Sequence, residues 1–132
     1  MSYQLKKKKY IHKTLELLGD NNKVEKTLVV NIAIDDFRNR YPAVMAEVKK
    51  AQAMVDASEE DDVEAIVAAQ VAVEAVFNLI FGRQQTKDFL EYYENRYSEA
   101  FLSVVPFITD EIIPEVQKAV SEENKRIQDV MK

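Results

Sequence analysis

The chain has 132 residues, the size of one ordinary domain, with 23 acidic against 18 basic side chains and a net charge of -5. Hydrophobic residues make up 47%, enough to build a core and too many for a wholly disordered chain. The lack of cysteine excludes disulfides, thiol catalysis and cysteine-ligated metals, and the single histidine leaves no partner for a histidine-based metal cluster. Two glycines and three prolines argue against a sandwich or barrel full of tight turns.

No stretch approaches the ~20 consecutive apolar residues of a membrane span. Lys6 to Lys9 are not followed by an apolar signal core, because His12, Lys13 and Glu16 interrupt the next segment. The expectation is a cytoplasmic protein with no membrane partner. Residues 1–9 read as a flexible basic N-terminus, 10–120 as one domain and 121–132 as a polar C-terminal tail, frayed or disordered. Residues 1–55 hold 11 Lys/Arg and 6 Asp/Glu, a net of +5, while residues 56–132 hold 7 and 17, a net of -10. An acidic protein is repelled by nucleic acid, so none is expected as a partner. Opposite charge in the two halves favours head-to-tail association between copies, and a homo-oligomer is expected.

In chain order, Tyr10 to Leu18 reads as a strand, with Ile11, Leu15 and Leu17 on one parity and Lys13 as the exception. Gly19-Asp20-Asn21-Asn22 is a cluster of turn formers. Val24 to Ile34 alternates, with Lys26 breaking the apolar parity, and the pair forms a β-hairpin with one buried face. Such a hairpin is only marginally stable alone and must pack on something. Asp35 or Asp36 can cap a helix from about Phe37, with Pro42 in its first turns. Ser58 with Asp61 approximates a capping box for a second helix that runs to about Phe81 and stops at Gly82. On that helix Val63, Ile66, Val67, Val73, Val76, Phe77 and Ile80 make one broad face and alanines cover much of the rest, so it is either central in the domain or covered by a partner. A short helix is expected from about Lys87 to Glu94, then a turn, then a helix capped by Ser98. Pro106 and Pro114 should kink or divide that last run. The fold class is α+β, an N-terminal β-hairpin packed on a bundle of four to five helices.

Candidate chemistry is thin. The run Asp56 to Glu64 holds six carboxylates but lacks the glycine and spacing of a calcium loop, and it suits the positive end of a helix dipole. Glu91 and Glu94 lie one turn apart with nothing to mark a pocket, and a ferritin-like site would need histidines. His12 has no nucleophile motif nearby, and no glycine loop exists to cradle phosphate. The reading is a non-enzymatic binding protein without cofactor or metal. Its candidate contact residues are Ala68, Ala72 and Leu79 on the alanine-rich helix, the aromatics Tyr92, Tyr93, Tyr97 and Phe107, and Ile113. Small side chains admit a partner helix, and Phe107 and Ile113 lie off the main apolar stripe.

The segment FNLIFGRQQTKDFLEYYENRYSEAFLSVVPFITDEIIPEVQKA, residues 77–119, resembles the C-terminal part of the tail assembly chaperones of siphophages, or prophages, of Gram-positive bacteria. An apolar helix ends in Phe81-Gly82, an aromatic-bearing helix follows over Phe89 to Tyr93, then a turn at Tyr97 and an apolar helix from Phe101 to Val116. The upstream hairpin leading into a helix is similar too. The resemblance implies a protein that binds the tape measure protein, a long amphipathic helical client. Such a chaperone keeps the client soluble during tail morphogenesis in the host cytoplasm and is absent from the mature virion. The family often makes a longer product by frameshifting. The alternative reading is a small cytoplasmic adaptor or regulatory module for one folded partner.

Overall fold

Strands β1 (Tyr10–Leu18) and β2 (Val24–Ala33) form an antiparallel hairpin, and helices α1 (Ile34–Ala57), α2 (Val63–Tyr92), α3 (Tyr97–Phe107) and α4 (Ile113–Met131) follow, with a π-helical turn at Ile108–Ile112. The computed structural model describes residues 2–5, 10–59 and 62–131. The expected mobile lysines, Lys6 to Lys9, and Asp61 of the expected capping box lie outside them. α3, the π turn and α4 run on without interruption, so the described chain holds three helical rods where the sequence suggests four to five helices.

The hairpin follows its sequence parity. Ile11, Leu17, Leu28, Val30 and Ile32 are buried on one face, and Asn22 closes the turn at φ 57°, a left-handed conformation that asparagine tolerates. The two lysines that break the apolar pattern lie on this same face and tie the hairpin to the helices. Lys13 Nζ lies 2.7 Å from the Glu115 carboxylate and 3.5 Å from that of Glu111. Lys26 Nζ lies 3.5 Å from Glu91 and 3.4 Å from the Asp88 carbonyl. The hydrogen bond to Glu115, with Glu111 adding to it, holds the Lys13 ammonium above its usual pKa against partial desolvation.

β2 runs into α1 without a loop. The helix starts at Ile34 with no side-chain cap, so Asp35 and Asp36 sit in its first turn rather than before it, and Pro42 lies in the helix interior. Phe37 stacks on Tyr41 at 4.8 Å, and burial raises the Tyr41 phenol above its ordinary pKa. Ser58 closes α1, its hydroxyl donating to the Val55 carbonyl, and Asp62 caps α2 by accepting from the Ala65 N–H at 3.2 Å. Asp62 therefore takes the role assigned by sequence to Ser58, because the chain needs Ser58 to end one helix before it starts the next.

Gly82 interrupts α2 at φ 79°, ψ 160°, but the helix resumes at once instead of stopping. The separate helix expected from Lys87 is thus the second half of α2. Side chains one turn on take up the carbonyls beside the break. Gln85 Nε2 donates to Phe81 O at 2.9 Å, and Thr86 Oγ1 donates to Gly82 O at 2.8 Å. A Cβ at Gly82 would meet nothing within 4 Å, so the cost of Gly82→Ala is purely conformational. That backbone region belongs almost to glycine alone, and Gly82→Ala is expected to lower the unfolding free energy by ~1–3 kcal/mol in urea titrations. An unchanged midpoint would mean that the break relaxes into continuous helix.

Pro106 and Pro114 do not break the last rod. Between them the chain widens into the π turn, with the Ile113 N–H bonded five residues back to Ile108 O. The wider turn accommodates the proline ring at Pro114, which would otherwise meet the carbonyl one turn earlier. α3 starts at Tyr97 without a side-chain cap, so Ser98 falls inside its first turn, and α4 carries the expected polar tail as helix to Met131. One core joins these parts. The hairpin face packs with Phe77, Ile80, Phe81 and Phe89 of α2, Val104 of α3, and Ile108 and Ile112 of the π turn.

Candidate interaction face

α2 divides by burial. Val76, Phe77, Leu79, Ile80 and Phe81 are core, whereas Val63, Ile66, Val67 and Val71 near its start are 69%, 45%, 49% and 63% exposed. The spacing groups Val63, Ile66 and Val67 with Val76, Phe77 and Ile80 on one broad apolar face. The structure turns them outward, while Ala65 and Ala72 of the same half are buried. α1 packs on α2, and small side chains, Ala51 of α1 and Ala65 and Ala72 of α2, are buried on these two helices. The alanine surface expected to admit a partner helix thus admits α1.

Met54 and Val55 on the last turns of α1 and Leu102 on α3 are exposed as well. A groove of about 300 Å³ lies where α1, α2 and α3 meet, lined by Val48, Ala51, Ala72, Val73, Phe101 and Leu102 among others. At the tip of the α1–α2 hairpin stand Asp56, Glu59, Asp62 and Glu64. The face therefore has an apolar body and an acidic end. Isolated exposed apolar residues need no explanation, but four at the start of one helix make this face the candidate contact surface.

The sequence candidates distribute differently. Ala72 and Leu79 are buried, and Ala68 is half-buried. Tyr92, Tyr93, Tyr97, Phe107 and Ile113 are half-buried and pack against the core. Tyr93 meets Phe89 and Tyr92 edge-on at 5.1 and 4.9 Å, and the Tyr92 hydroxyl donates to the Leu18 carbonyl at the hairpin tip. The exposed apolar position near Phe107 is instead Leu102. Only Ala68 and Ala72 lie on the same half of α2 as the strip. The signal that marks it, Val63, Val67 and Val71 at four-residue spacing, is the same signal that marks a core helix.

By length and composition α2 could cross a membrane, although no uninterrupted apolar run reaches a full span. In this fold its second half is the centre of the core. The carboxylates considered for acid–base chemistry are engaged apart from one another, Glu91 with Lys26 and Glu94 with Arg96. His12 bonds Asn31 across the hairpin. Among the described residues no group of three or more His, Cys, Asp or Glu is placed to hold a metal. No family model matches the chain, and no curated protein or solved structure is similar to it.

Proposed function

We propose that this chain is a non-enzymatic tail assembly chaperone of a siphophage or prophage, which binds and solubilises the tape measure protein in the host cytoplasm and leaves before the virion matures. The apolar strip of Val63, Ile66, Val67 and Val71, with Met54, Val55 and Leu102 also exposed on the neighbouring helices, is the observation that carries the reading. An amphipathic helical client hides its apolar stripe by laying it against such a face. The strip is made of small and medium side chains on a rigid helix hairpin, so each contact is weak enough to be displaced by tail-tube subunits. Many copies along one client supply avidity. The acidic tip at Asp56, Glu59, Asp62 and Glu64 favours client helices flanked by Lys or Arg. Residues 77–119, which carry the resemblance, supply much of the core and, in Leu102, one of the exposed apolar residues.

The test is co-expression with fragments of a long, apolar helical protein of the tape-measure type from the same genome. Insoluble fragments are expected to become soluble and to co-purify with many copies of this chain per fragment. A one-to-one complex with a folded protein, and no rescue along the whole candidate client, would transfer the function to a discrete adaptor.

A further inference from the structure

The two outer edges of the hairpin are treated differently. Val29 on β2 donates its N–H to Gln85 Oε1 at 2.7 Å, and its carbonyl accepts from Gln85 Nε2 at 2.6 Å. One side-chain amide of α2 thus pairs with that edge as a strand residue would. Because both backbone groups of Val29 point away from β1, Val29 and its partner Thr14 form a non-hydrogen-bonded pair of the ladder. The N–H and C=O of Thr14 therefore point outward from the other edge. By the same alternation so do those of His12 and Glu16, opposite Asn31 and Thr27. No strand pairs with this second edge among the described residues, and His12, Thr14 and Glu16 are all exposed. An uncovered edge of this length is a template for another strand.

We infer that the open edge of β1 pairs antiparallel with β1 of a second copy, Thr14 opposite Thr14, giving a two-fold dimer with a four-stranded sheet. Charge complementarity across the strands favours this occupant and this register. Centred on Thr14, the pairing sets His12 opposite Glu16 of the other copy twice, an imidazole against a carboxylate on the exposed face. On the inner face it sets Lys13 opposite Leu15 and Ile11 opposite Leu17. Moving the centre to Lys13 would face two lysines, and moving it to Glu16 would face two carboxylates, both unfavourable across a strand pair. Lys13, an inward charge of the kind that usually protects an edge, is already held by Glu111 and Glu115, so it does not oppose the approach. The shared edge exchanges roughly six backbone hydrogen bonds, two for each outward-facing pair. The interface is isologous, so it closes at two copies and does not propagate. It lies away from the apolar strip on α2, and it stands whether or not the client reading does.

Sedimentation equilibrium and hydrogen exchange test the pairing on the full chain. A dimer is expected, with the amides of His12, Thr14 and Glu16 protected at high concentration and exposed on dilution. Thr14→Pro removes a donor that faces away from β2, so the hairpin ladder keeps all its bonds while the dimer is lost. His12→Glu places carboxylate against carboxylate and is expected to weaken the dimer about tenfold. Adding Glu16→His to His12→Glu exchanges the two partners and restores it, a result independent of how well Thr14→Pro folds. A chain that stays monomeric to ~1 mM, a dimer in which the three amides exchange freely, or a double variant no tighter than His12→Glu alone would overturn the proposal.

Discussion

Phe89→Ala is expected to lower the unfolding free energy by about 4 kcal/mol, the largest effect of any single substitution in the core. Phe89 is 1% exposed. Its ring lies 5.0 Å from Phe77, 4.8 Å from Phe81 and 5.1 Å from Tyr93. The first two belong to the half of α2 before Gly82, and Tyr93 caps the half after it. The ring therefore locks the two halves of the interrupted helix at their angle, and its removal leaves a cavity and frees the joint together. A domain of this size has only ~5–15 kcal/mol in all, so the variant stands near the limit of folding. Urea unfolding followed by circular dichroism measures the loss. A drop below ~1 kcal/mol would show that Phe77, Phe81 and Tyr93 close over the space, and that the aromatic cluster is not what holds the angle.

The hairpin is legible in the sequence because its signal is local. Ile11, Leu17, Leu28, Val30 and Ile32 alternate, and Gly19 to Asn22 supply the turn. The exceptions in that pattern are legible only as exceptions. Lys13 and Lys26 sit on the buried face because carboxylates from distant segments meet them there, and no spacing within the hairpin announces Glu115 or Glu91. Gln85 is a comparable case, an ordinary helix residue whose amide is committed to Val29 of β2. Gly82 is readable as an interruption of the helix, but whether the helix then stops or resumes depends on what the next residues pack against. Here Thr86, Phe89 and Leu90 are buried against the same core, so it resumes.

The candidate face was not legible for a different reason. Valine and alanine on the first half of α2 satisfy a core helix and a contact surface equally well. Which of them face outward depends on where α1 lies, and Ala51, Ala65 and Ala72 are buried while Val63, Val67 and Val71 are exposed. The same packing withdraws Ala72 from the surface. The half-buried aromatics Tyr92, Tyr93 and Tyr97 follow the same logic, since their rings complete the core at the end of α2 and leave only their edges outside.

Replacing Val67 and Val71 together by glutamine is expected to abolish client solubilisation while leaving the fold intact. The two valines are 49% and 63% exposed, so their substitution removes little from the monomer. Glutamine is the better helix former, which offsets the lost apolar contacts with neighbouring turns. The charge of -5 is unchanged, so attraction to a basic client is the same before and after. What changes is the surface offered to the client. Each valine contributes ~1.5 kcal/mol when fully covered, and a pair lost at every site along the client weakens each contact by roughly two orders of magnitude. Avidity amplifies that loss, because a client coated by many weakly bound copies releases them together. The measurement is the soluble fraction of a tape-measure fragment co-expressed with the double variant, beside a thermal melt of the variant alone. Unchanged melting with the client insoluble places the contact on this strip. Full rescue by the double variant would move the contact off α2 and would end the argument that its exposed valines are there for a partner.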